Sequence, residues 1–184
     1  MLGFIIPNYD GYRKGDRCRL VNLKTGTVVH QIEHGEYWTD LSHGGISPSW
    51  KRDPAHPGGW HCVVEFFGKW QPRNVTLLEI GPGSRCVETD IWALVESDTA
   101  RRFRGTIPDR SFNDYYAFML TETQIQWEGA EAFVIKAILD SNPKDLTDKP
   151  KHSCQVTARY DVRRHSLKVT TGKLEVRKAP PSGR

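Results

Sequence analysis

Charged and apolar positions alternate from the first clear element of the chain. After Lys14-Gly15-Asp16, the run Arg17-Cys18-Arg19-Leu20-Val21 has the period of two expected of a strand with one covered face. Lys24-Thr25-Gly26 turns the chain and Thr27-Val28-Val29-His30-Gln31-Ile32 returns, so the two runs predict a hairpin. Further strands are expected over residues 61–67, ending at Gly68, and over residues 77–80 after the bend at Gln71-Pro72-Arg73-Asn74. Gly81-Pro82-Gly83-Ser84 marks a boundary. Beyond it, residues 86–95 read as a strand covered on both faces toward Ile91-Trp92-Ala93-Leu94-Val95, and residues 116–120 as another. Over residues 128–140, Ala130, Phe133, Val134, Ala137 and Ile138 fit a helical stripe; Ile135 and Leu139 fall off it, and a strand is the alternative. Alternation becomes strict from Cys154, with Cys154, Val156, Ala158 and Tyr160 inward and Gln155, Thr157 and Arg159 outward. Turns at residues 161–165 and at Thr171-Gly172 then predict a three-stranded antiparallel meander.

These elements make an α+β chain that is mostly β, in two parts. The expected first domain covers residues 1–80 and carries a long inserted loop at 34–60; a β-rich unit with one helix follows over 85–178, and a disordered tail over 179–184. The stretches KGDRCRLVNLKTGTVV, WHCVVEFFGKW and NVTLLEI, in that order, resemble an SH3-like barrel of the KOW, Tudor and chromo-barrel kind over roughly residues 12–80. In such modules "G-D-x-V" opens the first strand, "x-G-x-V" begins the second, and a "V-x-F" strand precedes a short turn and a final "L-x-x-I". The long connection before Trp60 departs from that pattern. The resemblance implies ligand binding by aromatic side chains at strand ends, with peptides, methylated lysines or nucleic acid as the ligands.

Composition narrows the classes. Of 184 residues, 38% are hydrophobic and 26% charged, enough to bury a core and unlike a disordered chain. Apolar runs such as Phe133-Val134-Ile135 are far too short for a bilayer span, and no basic leader precedes Pro7, so no membrane partner and a cytoplasmic location are expected. The four cysteines, Cys18, Cys62, Cys86 and Cys154, are widely spaced and predict free thiols rather than a disulfide framework. Net charge is +4, but residues 149–184 carry ten basic side chains against Asp161 and Glu175 alone, an excess of eight. A segregated basic end is the electrostatic footprint of a polyanion partner, although charge runs are also common on solvated faces.

The candidate sites follow from these patterns. Thr157, Arg159, Lys168 and Thr170, with Arg163 and Arg164 at the turn, form an outward basic ridge suited to phosphate contacts, which Arg101, Arg102 and Arg104 would extend. Trp38, Trp50, Trp60, Phe67 and Trp70 are the candidates for an aromatic pocket able to stack bases or hold a cation, against the plainer reading that several are core. Glu88 and Asp90 share one strand face about 7 Å apart, a spacing that in phosphoryl-transfer sites holds Mg²⁺, though a solvated strand end is the commoner use. Five of the seven histidines fall within residues 30–61, and His56 and His61 beside Cys62 are the nearest to zinc-ligand spacing. His30-Gln31-Ile32-Glu33-His34 matches H-x-x-E-H, but on a strand its histidines stand about 13 Å apart, too far for one ion. No cofactor is implied. The leading expectation is a non-enzymatic module that binds nucleic acid through the basic strands and the barrel aromatics. The alternatives are a protein or peptide module using the aromatic pocket, and a metal-dependent nuclease or phosphotransferase centred on Glu88 and Asp90.

Overall fold

A computed structural model of the chain describes residues 1–6, 17–36, 45–67, 72–103, 117–142 and 151–177. In chain order the elements are β1 (Leu2–Ile5), β2 (Arg17–Asn22), β3 (Val28–Glu36), β4 (Gly45–Arg52), β5 (Trp60–Phe67), β6 (Pro72–Ile80), β7 (Cys86–Asp90), α1 (Ile91–Phe103), β8 (Ala117–Glu128), β9 (Ala132–Asn142), β10 (Lys151–Asp161), β11 (Ser166–Thr171) and β12 (Glu175–Arg177). Among the described residues the chain is mostly β with one α-helix, and every strand pair is antiparallel. None of its described helices is long and apolar enough to cross a membrane. It divides into two compact units, Met1–Trp92 and Ala93–Arg184.

The first unit holds two sheets, β1-β2-β3 and β4-β5-β6-β7, which share one core. The expected hairpin is β2–β3. Its turn closes through Gly26 N–H to Asn22 O at 2.8 Å, with Gly26 at φ +73°, a conformation that glycine adopts without steric cost. Cys18 and Leu20 are fully buried while Arg19 is exposed, as the alternation requires. Val21, of opposite parity to Leu20, is buried as well and stands opposite Gly3 on β1, while the register shift between Leu20 and Val21 leaves Val29 as a bulge in β3. Cys62, Val64, Phe66, Leu78 and Ile80 complete the core from β5 and β6.

Three sequence expectations are corrected in this part of the chain. The stretch read as an inserted loop over 34–60 contains the end of β3 and all of β4. Ser47, Pro48 and Ser49 interrupt the apolar pattern there, yet Pro48 is tolerated because β4 is the edge of its sheet. Gly81–Ser84 holds a single 3-10 turn, Pro82–Ser84, joining the paired strands β6 and β7. The strand read over 86–95 stops at Asp90. From Ile91 the chain is helical, with Ile91, Trp92, Val95, Thr99 and Phe103 buried as one stripe. A five-residue apolar run does not by itself separate helix from strand, and an aspartate immediately before it suits a helix start.

In the second unit the strand order is β11-β10-β9-β8. The segment read as a helix over 128–140 is instead the hairpin β8–β9, turning through Gly129 at φ +73°. Phe133, Ile135, Ala137 and Leu139 are all buried, the period-two set to which the off-stripe Ile135 and Leu139 belong. Trp127, Phe133 and Tyr160 lie in register across three strands, with ring centroids 5.2 and 5.5 Å apart. The final strand also differs from the meander expected. β12 does not return against β11 but lies beside His152 and its neighbours on β10, continuing in line with β11 past Gly172. The tail expected over 179–184 lies outside the described residues.

Candidate functional site

The outward face of β8–β11 collects the basic ridge. Register places Arg159 opposite Lys168 on β11 and opposite Val134 on β9, whose far neighbour on β8 is Gln126. One step along, Thr157 stands opposite Thr170 and Lys136, and Lys136 opposite Gln124. Lys136, Arg159, Lys168, Gln124, Gln126 and Thr170 are all exposed, and the opposite parity, Cys154, Val156, Ala158 and Tyr160, is buried. Three cations and two threonines therefore share one solvent face, with neighbouring strands about 4.8 Å apart. Arg163 and Arg164 project exposed from the β10–β11 turn, which Asp161 fixes by accepting the Arg164 N–H at 2.9 Å.

The next outward row is acidic. Glu128 stands opposite Ala132, and Ala132 opposite Asp161. Arg159 Nε donates to Glu128 Oε2 at 2.8 Å, and Arg159 Nη1 lies 3.9 Å from Asp161 Oδ2. The helix arginines have a carboxylate partner on their own helix. Arg101 and Arg102 both bind Asp98, one helical turn earlier on α1. Burial pushes the Asp98 carboxyl up, but the two guanidinium partners outweigh burial and hold it below the ordinary carboxylate value. Arg104 lies outside the described residues.

The aromatic candidates separate. Trp50 and Trp60 meet edge-on, centroids 6.2 Å apart at 89°, and Phe4 tilts against Trp50 at 5.7 Å. Together with Met1 and Leu2, the two tryptophans line an apolar cleft of about 400 Å³, and the Arg52 guanidinium sits 4.4 Å above the Trp60 ring. Phe67 is at the far end of β5, beside Gly45, so it takes no part in this cleft. Trp38 and Trp70 lie outside the described residues.

Glu88 and Asp90 share a strand face, as their spacing requires, but that face is the one carrying Leu78 and Thr76 on β6, not an open site. The Glu88 carboxylate is 8% exposed and joins the two sheets of its unit: His30 Nε2–H donates to it at 2.7 Å and Glu33 N–H at 3.0 Å. His56 and His61 converge on one acid. Asp53 Oδ2 accepts from His56 Nδ1–H at 2.7 Å and lies 3.7 Å from His61 Nε2, while Asp53 Oδ1 accepts the Ala55 N–H at 2.8 Å. Burial raises the Asp53 carboxyl, but these hydrogen bonds and the two imidazoles outweigh burial and hold it below the ordinary value. Among the described residues no group of three or more His, Cys, Asp or Glu side chains is arranged to hold a metal ion. All four thiols are free, and burial pushes each of them up, Cys18 and Cys154 to about 11 and Cys86 to about 12, which leaves them poor nucleophiles.

Sequence reasoning missed three participants. Lys136 was hidden by the helical reading of its segment, and its strand parity with Val134 and Ile138 was the available signal. Glu128 sits two strands from Arg159, and Asp53 reaches two histidines across a loop, neither of which spacing reveals. No protein-family model, no curated protein and no solved structure matches this chain.

Proposed function

We propose that the chain is a binding module whose second unit takes nucleic acid by its phosphate backbone. The observation that supports this reading is the exposed sheet face that carries Lys136, Arg159 and Lys168 beside Thr157 and Thr170 and ends in the Arg163–Arg164 turn. Ammonium and guanidinium groups supply charge, threonine hydroxyls supply further donors, and none of them is needed for the core beneath. With about four phosphate contacts, log K should fall against log salt with a slope of roughly −3 to −4. Charge reversal at Arg159, Arg163, Arg164 and Lys168 should flatten that slope and weaken binding to all sequences alike, because phosphate contacts carry no base information. The test is a salt titration of wild type and the fourfold variant with mixed-sequence RNA and DNA. Equal affinity and equal slope in the two proteins would remove the reading.

A second reading is favoured by one observation in the first unit. There the apolar cleft between Trp50, Trp60, Leu2 and Met1 is of a size to take an apolar side chain of a peptide partner. We also keep the SH3-like barrel as a proposal for residues 12–80, supported by the β2–β3 hairpin and the β5–β6 pair falling in the expected order. Partner capture at high salt that is lost with Trp50→Ala, but kept with the fourfold reversal, would favour the peptide module over the nucleic-acid face.

A further inference from the structure

We infer that Glu128 is an electrostatic brake on the basic face: it occupies Arg159 in the free protein and must release it when a phosphate arrives. This rests on the proposed polyanion reading. The outward rows of the sheet run from basic to acidic, with Lys168 and Arg159 in one and Glu128 and Asp161 in the next. Arg159 and Lys168 stand directly opposite each other, an arrangement that like charges disfavour unless a neighbouring carboxylate relieves it. Glu128 supplies that relief at 2.8 Å, reaching past Ala132, the small residue between its strand and β10.

The two acids of that row are not equivalent. Asp161 is 3.9 Å from Arg159 and is bound to the turn through the Arg164 N–H. Glu128 makes no other hydrogen bond or ion pair among the described residues. Both side chains of the Glu128–Arg159 pair are about half exposed, 49% and 46%, so water screens their attraction and a phosphate with two or more acceptor oxygens can displace the single carboxylate contact. A pair of this kind is too weak to matter for the fold and well placed to tune the affinity of the face.

The test is Glu128→Gln in the full chain, titrated with a mixed-sequence oligonucleotide in single-stranded and duplex form. Binding should become roughly two- to fivefold tighter, the range an exposed pair of this strength converts to. The control Glu175→Gln removes the same charge from β12, where no contact with Arg159 exists among the described residues, and should leave affinity nearly unchanged. In an Arg159→Ala background, Glu128→Gln should bring no gain. No tightening in Glu128→Gln, an equal tightening in Glu175→Gln, or a gain that persists without Arg159 would each overturn the brake while leaving the nucleic-acid reading standing. A wild-type protein that binds neither oligonucleotide at low salt would remove that reading first, and the brake with it.

Discussion

Removing the Glu88 carboxylate separates a structural acid from a catalytic one. The group is 8% exposed and accepts from His30 Nε2–H at 2.7 Å and from Glu33 N–H at 3.0 Å, so it ties β7 to β3 and thereby one sheet of the first unit to the other. A hydrogen bond to a charged group contributes about 1.5–3 kcal/mol to stability when its donor is well buried. Here the His30 side chain is 23% exposed and Glu33 is on the surface, so water can take over part of each donor's need and the lower end applies to both. Glu88→Ala should therefore cost about 3 kcal/mol. Glu88→Gln keeps an acceptor for the Glu33 N–H and should cost about 1 kcal/mol. At a urea m-value of about 2 kcal/mol/M, the alanine variant should unfold at a midpoint roughly 1.5 M lower.

The assay is urea unfolding followed by tryptophan fluorescence, with the m-value checked for constancy and His30→Gln run alone and combined with Glu88→Gln. Coupling of about 1 kcal/mol between the two positions is expected if they act as one bond. A loss below about 0.5 kcal/mol in Glu88→Ala is the size of an ordinary surface change and would refute the cross-link. Mg²⁺-dependent phosphodiester cleavage abolished by Glu88→Gln at unchanged stability would restore the nuclease alternative in its place.

Three more outcomes are expected. A methyl group at Gly59 would stand 3.0 Å from His56 O and 3.1 Å from Asp53 Cβ, so Gly59→Ala should displace the Asp53–His56 loop and cost about 1–3 kcal/mol in thermal unfolding. The depressed Asp53 carboxyl contributes stability that is fully present above its ordinary value of 3.8 and is lost as pH falls through the lower folded value; Asp53→Asn should flatten the acid limb of the unfolding midpoint against pH. Burial depresses His152, so the unfolded chain takes its proton first and stability declines as pH drops below 6.5, a decline that His152→Gln should remove.

The parts of the fold that read clearly from sequence are those where one face of a strand is dry and the other wet. Cys18 and Leu20 against Arg19, and Val156, Ala158 and Tyr160 against Gln155 and Arg159, state their own parity. Where both parities are covered the signal fails: Ile91 and Trp92 continue the apolar run of a strand, and only the spacing to Val95, Thr99 and Phe103 shows the helix. Over Phe133–Leu139 the two periods overlap, since Phe133 and Ala137 satisfy both, and Ile135 and Leu139 decide between them. The basic ridge was legible because its residues alternate within two neighbouring strands. Its acidic counterweight was not, because Glu128 meets Arg159 by strand order, a property of the sheet rather than of any local stretch.

That dependence on strand order also explains why an exposed, weakly bonded face can be held in one arrangement. Side-chain period in a strand is two, so a slip of one residue in β10 would exchange its faces entirely, moving Arg159 into the row of Trp127 and Phe133 and expelling Tyr160. Burying a guanidinium among those rings without a partner is far costlier than any single surface pair is favourable. The rings of Trp127, Phe133 and Tyr160, in contact one row away from Arg159, thus fix the register on which the outer charges depend. The charges contribute little to that register in return, since water screens the roughly half-exposed Glu128–Arg159 pair and Lys136 and Lys168 are exposed. Core and face are therefore separable: the charge of the outer rows can change over a wide range while the inner rows keep Lys136, Arg159 and Lys168 on one surface, and affinity for a polyanion can be tuned without moving the fold.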